Sequence, residues 1–580
     1  MMVVGARAAI LVVAPGHRLQ RALSAGLALT LAALLAGAIE PLSDPSARIA
    51  AKVDPGVARV AELAPGSTLR VIVRETAPST ETAERLVVEL GGTVTHELPI
   101  IGAFSARLPA SELPALAGSD SVGLVWGDGR IRMSSTNTSA YDSAAPNTAW
   151  RQSIRLTQVD DNYNGAGVTV AILDTGVTPT SDLDGRLLAR VDLTPDHDGW
   201  DGYGHGAHMA GIISGNGATS AGQWRGVAPG SNLVSVKVAG TDGSTDVSVV
   251  IAGMQWVLEN RYQYNVRVLN LAFGTDSLQS YSIDPLNYAV EQVWFSGILV
   301  VASAGNRGPD ANTINKPGDD PFLVTVGAAD LKGTTERWDD VVAPFSGWGL
   351  TPDGFAKPDL VAPGITIVST RAPGSTIDSL HPDARLGDDY FKGTGTSQAA
   401  AIVSGVAALM FEANPRLTPD LTKAALLHSA YKLPTYRTGG GAGLVDASGA
   451  VQAAKNWGGI APANGGLVPS TGLGSLEASR GSFHVHTDVN GDGMWEPMVG
   501  EIDVLGQPWT STSWSALSWS TSVWCSLTSV SPGWETTSWS ATSWSGTSWS
   551  ATSWSATSWS ATSWSATSWS ATTWSADVWS

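Results

Sequence analysis

Five stretches in the middle of the chain are of strand length and largely apolar without alternating: Val168–Leu173, Leu233–Val238, Val266–Ala272, Ile298–Ala302 and Leu323–Val326. A strand with one wet face alternates polar and apolar residues, so strands that do not alternate are covered on both faces. Helical segments such as Ser248–Glu259 and Ile283–Trp294 lie between them. Strands that take turns with helices, and are buried on both sides, form a parallel sheet. The expected fold class is therefore α/β, a doubly wound, mostly parallel sheet over residues 150–455.

The flanks read differently. Arg18 and Arg21 precede an apolar, charge-free run, Ala22–Ala38, closed by Ala36-Gly37-Ala38. A basic start, a short apolar centre and a small-residue end describe a signal peptide over 1–38, and a bilayer-spanning helix needs roughly 20 apolar residues. Residues 66–133 order as strand (Leu69–Arg74), helix (Thr80–Leu90), strands (Thr93–His96, Ala103–Leu108), helix (Ser111–Ala117) and strand (Val122–Trp126). That order is the α+β ferredoxin-like arrangement. A Ser/Thr/Asn/Pro-rich linker at 134–149 separates it from the body.

Beyond the body, 456–508 is a second linker with a short hairpin expected between Ser482–His486 and Glu501–Val504. Residues 509–580 are a low-complexity array with Trp at every fifth position from Trp509 to Trp579, missing only at Ser529. A period of five fits neither a helix nor a single strand.

Acidic residues outnumber basic ones, 52 to 34, for a net charge of −18 in 580 residues. Such a surface repels phosphate backbones and anionic lipid, which excludes nucleic-acid and membrane-surface partners. The lone cysteine, Cys525, excludes an intrachain disulfide.

Three segments carry chemistry. Asp174 ends an apolar strand in Ala171-Ile-Leu-Asp-Thr-Gly-Val177, at the sheet edge where open α/β folds place their sites. Asp-Thr-Gly alone describes an aspartic protease or a plain turn equally well. His205 opens a helix among glycines in Gly204-His-Gly-Ala-His208, with His208 one turn on assigned to structure. Ser397 follows a Gly/Thr turn, Gly393-Thr-Gly-Thr, and starts an apolar helix whose free amides favour negative charge. Acyl transfer needs an activated hydroxyl, a base and oxyanion donors, and these segments offer them.

In the chain order Asp, His, Ser, these segments resemble the signature segments of the subtilisin-like serine proteases, the subtilases. Val301-Ala-Ser-Ala-Gly-Asn306, Lys357-Pro-Asp-Leu-Val-Ala-Pro-Gly364 and Gly441-Ala-Gly-Leu-Val-Asp446-Ala resemble further family segments, and the likeness spans about 150–455. It implies a secreted or cell-surface, bacterial serine endopeptidase acting on proteins or peptides. In that reading Ser397 is the nucleophile, His205 the base, Asp174 its orienting carboxylate and Asn306 an oxyanion donor. Ala272, Phe273 and Gly274 would pair with extended substrate. It also implies that 66–133 is a pro-domain, an intramolecular inhibitor removed by self-processing.

The chain departs from the family where Ala207 replaces Thr, Gln398 replaces Met, Ala401-Ile402 replace Pro-His and Ala272 replaces Ser. The chemistry requires no cofactor. Asp488, Asn490 and Asp492 resemble half of a calcium loop, but Val499 stands where its closing Glu belongs. A plain hairpin turn is the alternative there. The Trp array is open to three readings: a low-complexity tail, a stacked β structure with one Trp per repeat, or an aromatic surface for glycan or cell wall. Two competing functions remain at this level: a catalytically silent surface protein using the body as scaffold, and an aspartic protease, which would want an all-β body.

Overall fold

Hydrophobic burial demands a partner for every apolar face, and the chain supplies them in two layers. The computed structural model describes residue 49 and residues 52–474 except 78–79, 129, 133–140, 142, 195 and 434–438. Beyond these it describes 486–487, 496–497, 518–531 and 534–579. The expected signal segment 1–38, the linker at 134–140 and the calcium candidates Asp488, Asn490 and Asp492 lie outside the described residues.

A helix α1 (Pro55–Leu63) leads into β1 (Thr68–Glu75), α2 (Thr82–Glu89), β2 (Thr93–Leu98), β3 (Ala103–Pro109), α3 (Leu113–Gly118) and β4 (Val122–Gly127). The strands form one antiparallel sheet in the order β2-β3-β1-β4, the ferredoxin-like arrangement. Val71, Ile72 and Val73 at its centre are fully buried.

The body contains β5 (Thr169–Asp174), β6 (Leu187–Asp192), α4 (His205–Ser214), β7 (Asn232–Lys237), α5 (Val247–Asn260), β8 (Val266–Leu271), α6 (Pro285–Phe295), β9 (Leu299–Ser303), β10 (Val324–Asp330), β11 (Leu360–Pro363) and α7 (Thr396–Ala413). Six strands run parallel in the order β10-β9-β8-β5-β7-β6. β11 adds to β10 in parallel, and Val341–Val342 pairs with β10 antiparallel at the edge. From β5 the chain first builds outward to β7 and β6, then returns to add β8 on the other side. That reversal between β5 and β8 is the switch point where such sheets open a crevice.

β6 went unread in the sequence because it is an edge strand, half buried in alternation rather than apolar throughout. The short β11 was hidden by its flanking prolines, Pro358 and Pro363. In the linker, His486–Thr487 pairs antiparallel with Glu496–Pro497; the expected strand Glu501–Val504 lies outside the described residues.

The antiparallel sheet packs on α5 and α6 and shares their core: Ile72, Leu98, Ile101 and Trp126 belong to the same buried cluster as Val250, Ile251 and Leu286. Past β4, backbone pairing continues across, with Arg130–Arg132 antiparallel to Ser244–Asp246. Asp128 reaches the start of α5, accepting from Ser248 N at 3.1 Å and Ser248 Oγ at 2.7 Å. The first amides of a helix have no partner within it, so this carboxylate caps a helix of the other layer. Arg70 bridges Asp128 and Asp246.

In the tail, Ser518–Ser531 pairs in parallel with part of Trp534–Trp579, each residue matching the one twenty further on: Trp519 with Trp539, Trp524 with Trp544, Val530 with Ser550. Four five-residue units therefore equal one register step, which aligns Trp with Trp.

Helix α7 is the one helix among the described residues long and apolar enough to cross a bilayer, and 89% of it is buried inside the body. Its small residues allow that depth. Gly405 shows how tightly: a Cβ there would sit 2.5 Å from Val227 Cβ. Helix propensity favours Ala over Gly by ~1 kcal/mol, but overpacking costs ~1–3 kcal/mol. Gly405→Ala is therefore expected to lower the urea midpoint of unfolding despite its better helix propensity; a raised midpoint would refute the packing argument.

Candidate active site

Asp174 is the last residue of β5, His205 the first of α4, and Ser397 the second of α7. Distant in sequence, Asp174 and His205 meet at the carboxyl edge of the sheet. His205 Nδ1 lies 2.8 and 2.9 Å from the two Asp174 oxygens. Asp174 is buried, at 1% exposure, and also accepts from Thr175 N at 2.8 Å. With Nδ1 held by the carboxylate, Nε2 is the ring nitrogen left for chemistry. Burial works to lower the His205 pKa, but the Asp174 charge, its hydrogen bond and the charge of Asp201 outweigh it, and the net shift is upward.

Gly204, with φ of 104°, makes the left-handed turn into α4. Gly206 lets the helix touch the strand end: a Cβ there would lie 2.1 Å from Gly176 O and 3.2 Å from Asp174 Cβ. His208, one turn on, is buried with Nε2 donating to Phe391 O at 3.1 Å. Its pKa is pushed down to about 4 by burial and by the His205 charge, so it stays neutral.

The Ser397 hydroxyl donates to Ala272 O at 3.2 Å rather than to His205. Asn306 follows β9, and its Oδ1 accepts from Thr396 N at 2.8 Å and Thr396 Oγ1 at 2.9 Å. The carbonyl end of the amide is thereby committed to the residue beside Ser397, and Nδ2 is the donor end of the same amide.

Ala272, Phe273 and Gly274 continue from β8; Ala272 and Phe273 are fully buried, and Ala272 touches the candidate nucleophile through its carbonyl. Thr275 and Lys316 exchange backbone hydrogen bonds at 2.9 and 2.8 Å, which fixes this segment. Among the described residues no group of three or more His, Cys, Asp or Glu has the arrangement to hold a metal ion.

Two residues of this site escaped the sequence reading. The Asp201 carboxylate accepts from Thr175 Oγ1, Gly204 N and Ala207 N, and Thr175 Oγ1 accepts from Gly206 N. The signal was an Asp four residues before His205 and a hydroxyl residue after Asp174. Neither is distinctive until β5 and α4 are docked.

Comparison with known proteins identifies the family of the body. The Subtilase family profile (peptidase S8) matches residues 165–456, half of the chain. The chain belongs to the subtilase family. Serine protease AprX of Bacillus subtilis is 42% identical over 278 residues, 46% of this chain and 62% of its own length. Subtilisin Savinase of Lederbergia lenta is 35% identical over 290 residues, 50% of this chain and 92% of its own. M-protease of Shouchella clausii is 32% identical over 363 residues, 62% of this chain and 81% of its own. The crystal structure of fervidolysin from Fervidobacterium pennivorans, described as a keratinolytic enzyme related to subtilisin, superposes with a TM-score of 0.51 at 24% identity, covering 67% of this chain and 61% of that one. That likeness is one of fold. The body of this subtilase is thus a subtilisin-type serine endopeptidase domain, and the parallel sheet removes the all-β body that an aspartic protease would need.

Close approach at Gly206 gives a direct test. In Gly206→Ala the added methyl meets backbone that no side chain can yield, so the ~1 kcal/mol propensity gain is overwhelmed. The expected outcome is a lowered urea midpoint together with loss of peptidase activity; a variant as stable and active as the parent would show that α4 need not dock this closely.

Proposed function

We propose that the protein is a secreted serine endopeptidase, made as a self-processed zymogen, with Asp174, His205 and Ser397 as its triad. The buried Asp174–His205 hydrogen bond, with Ser397 at the amide end of α7, carries this reading. After rotation of its hydroxyl, Ser397 attacks the scissile carbonyl while His205 Nε2 takes the Oγ proton. Asp174 stabilises the imidazolium and keeps the proton on Nδ1. The tetrahedral oxyanion is held by Asn306 Nδ2 and the Ser397 N–H, each in a dry site where such donors act strongly. Collapse passes the proton from Nε2 to the leaving amine and leaves an acyl-enzyme, which water, activated by the same imidazole, hydrolyses. Ala272–Gly274 would align extended peptide substrate by main-chain contact, which reads backbone more than side chains.

The reading of 66–133 as an inhibitory pro-domain is supported by its shared core with α5 and α6, by the strand pairing at 130–132, and by the Asp128 cap on α5. An export signal at 1–38 fits an enzyme that must stay inactive until it has left the cell. A second reading, a silent scaffold for the Trp array, draws support from the Ser397 hydroxyl resting on Ala272 O instead of His205.

Expression of wild type and Ser397→Ala separates the two. Wild type is expected to lose its N-terminal 133 residues or thereabouts and to label with a fluorophosphonate at Ser397, whereas Ser397→Ala accumulates unprocessed and unlabelled. Identical processing in both removes self-cleavage, and an unlabelled wild type favours the scaffold.

The cap gives an independent check of the pro-domain. Asp128→Ala strips the Ser248 amide and hydroxyl of their acceptor, a loss of about 1–2 kcal/mol. A 66–133 fragment with this change should inhibit the processed enzyme roughly tenfold more weakly than the unchanged fragment; equal inhibition would mean that the cap adds nothing to binding.

A further inference from the structure

We propose that Asp201 is a positioning residue for the catalytic base, acting on His205 by its charge and through the Thr175 hydroxyl. The inference rests on the assignment of His205 as base.

The geometry is closed and fully buried. Asp201 sits in the turn entering α4 at 4% exposure. Its Oδ1 accepts from Thr175 Oγ1 at 2.8 Å and from Gly204 N at 2.6 Å, and its Oδ2 from Ala207 N at 2.7 Å. Gly204, the residue before α4, has no side chain to cap the helix, so Asp201 takes that part from three residues upstream of it. It thereby fixes the helix end from which His205 projects.

Thr175 links this carboxylate to the triad. Its hydroxyl accepts from Gly206 N at 3.0 Å and has one proton to give. That proton faces two carboxylates, Asp201 Oδ1 at 2.8 Å and Asp174 Oδ1 at 3.2 Å. The shorter contact commits it to Asp201, so Asp174 keeps its oxygens for His205 Nδ1 and Thr175 N. An ionised Asp201 is thus what leaves Asp174 undivided in its grip on the imidazole.

The charged and titratable groups that interact with Asp201 are Asp174 at the end of β5 and His205 on α4; Ser375, beside Gly204, and Thr175 bring hydroxyls. Asp201 adds to Asp174 in raising the proton affinity of His205. Its own pKa is pushed up to about 6 by burial, against its hydrogen bonds from Ala207, Gly204 and Thr175. The active form needs His205 neutral, so a charge that raises its pKa moves the acid limb of kcat/KM to higher pH. Removing that charge must move the limb to lower pH.

The test uses full-length Asp201→Asn, with its pro-domain cut in trans by a trace of wild-type enzyme, assayed on a peptide anilide across the acid limb. The expected midpoint of kcat/KM lies on the order of half a pH unit or more below wild type. A merely structural residue would change rate or yield without moving the midpoint. Thr175→Val should lower kcat several-fold with KM little changed, and Thr175→Ser should restore it. An unshifted midpoint in Asp201→Asn overturns the charge effect. If that variant does not fold, a Thr175→Val enzyme with wild-type kcat overturns the link. Fluorophosphonate labelling of Ser397 separates the outcomes: wild type that fails to label defeats the assignment of the base itself, whereas normally labelling variants with unchanged profiles defeat only the role of Asp201.

Discussion

A carboxylate with almost no exposure to water, Asp174, sets the terms for the rest of this molecule. Leaving such a charge unpaired in the interior costs several kcal/mol, so the fold must bring donors to it. Thr175 N comes from the strand's own continuation, but the His205 imidazole arrives from a separate helix. Strand β5 and helix α4 must therefore meet at a fixed separation, and Gly206 against Gly176 is what permits it. The switch point beside β5 then supplies the open edge where Ser397 and Asn306 gather from α7 and β9.

The second buried carboxylate, Asp201, follows the same logic one layer out. Among the described residues it accepts from backbone amides and the Thr175 hydroxyl and makes no ion pair with Lys or Arg, and burial raises its pKa. Backbone donors hold a carboxylate in place without neutralising it, so its field persists at the neighbouring imidazole. The N-terminal sheet repeats the device at a larger scale: Asp128 satisfies the Ser248 amide of α5, which α5 cannot satisfy itself. Its place at the boundary makes the two layers depend on each other for hydrogen bonds as well as for apolar contact.

Two of the departures from the family pattern, Ala401 and Gln398, are accommodated by packing around α7. Ala401 is fully buried within α7 and keeps the helix regular, which a proline would not require. Gln398 packs beside Gly393 and Gly395, where any larger residue at those glycines would strike it. Neither residue touches the Asp174–His205 contact.

Apolar runs and their helical separators determined the α/β body, because burial on both faces leaves its mark on every residue of a central strand. The N-terminal sheet was equally legible in its order of elements, since strand and helix there differ in period. Three glycine-flanked segments marked Asp174, His205 and Ser397, because close packing at a sheet edge tolerates little else. Edge strand β6 and the short β11 were not legible, for an edge lacks the full burial that writes a pattern. Only the tertiary structure decided that Asp201 and Thr175 join the site and that Asp128 caps α5. It also decided that the Ser397 hydroxyl rests on Ala272 O. Those contacts depend on docking between elements far apart in the chain, where residue type permits many partners and geometry selects one.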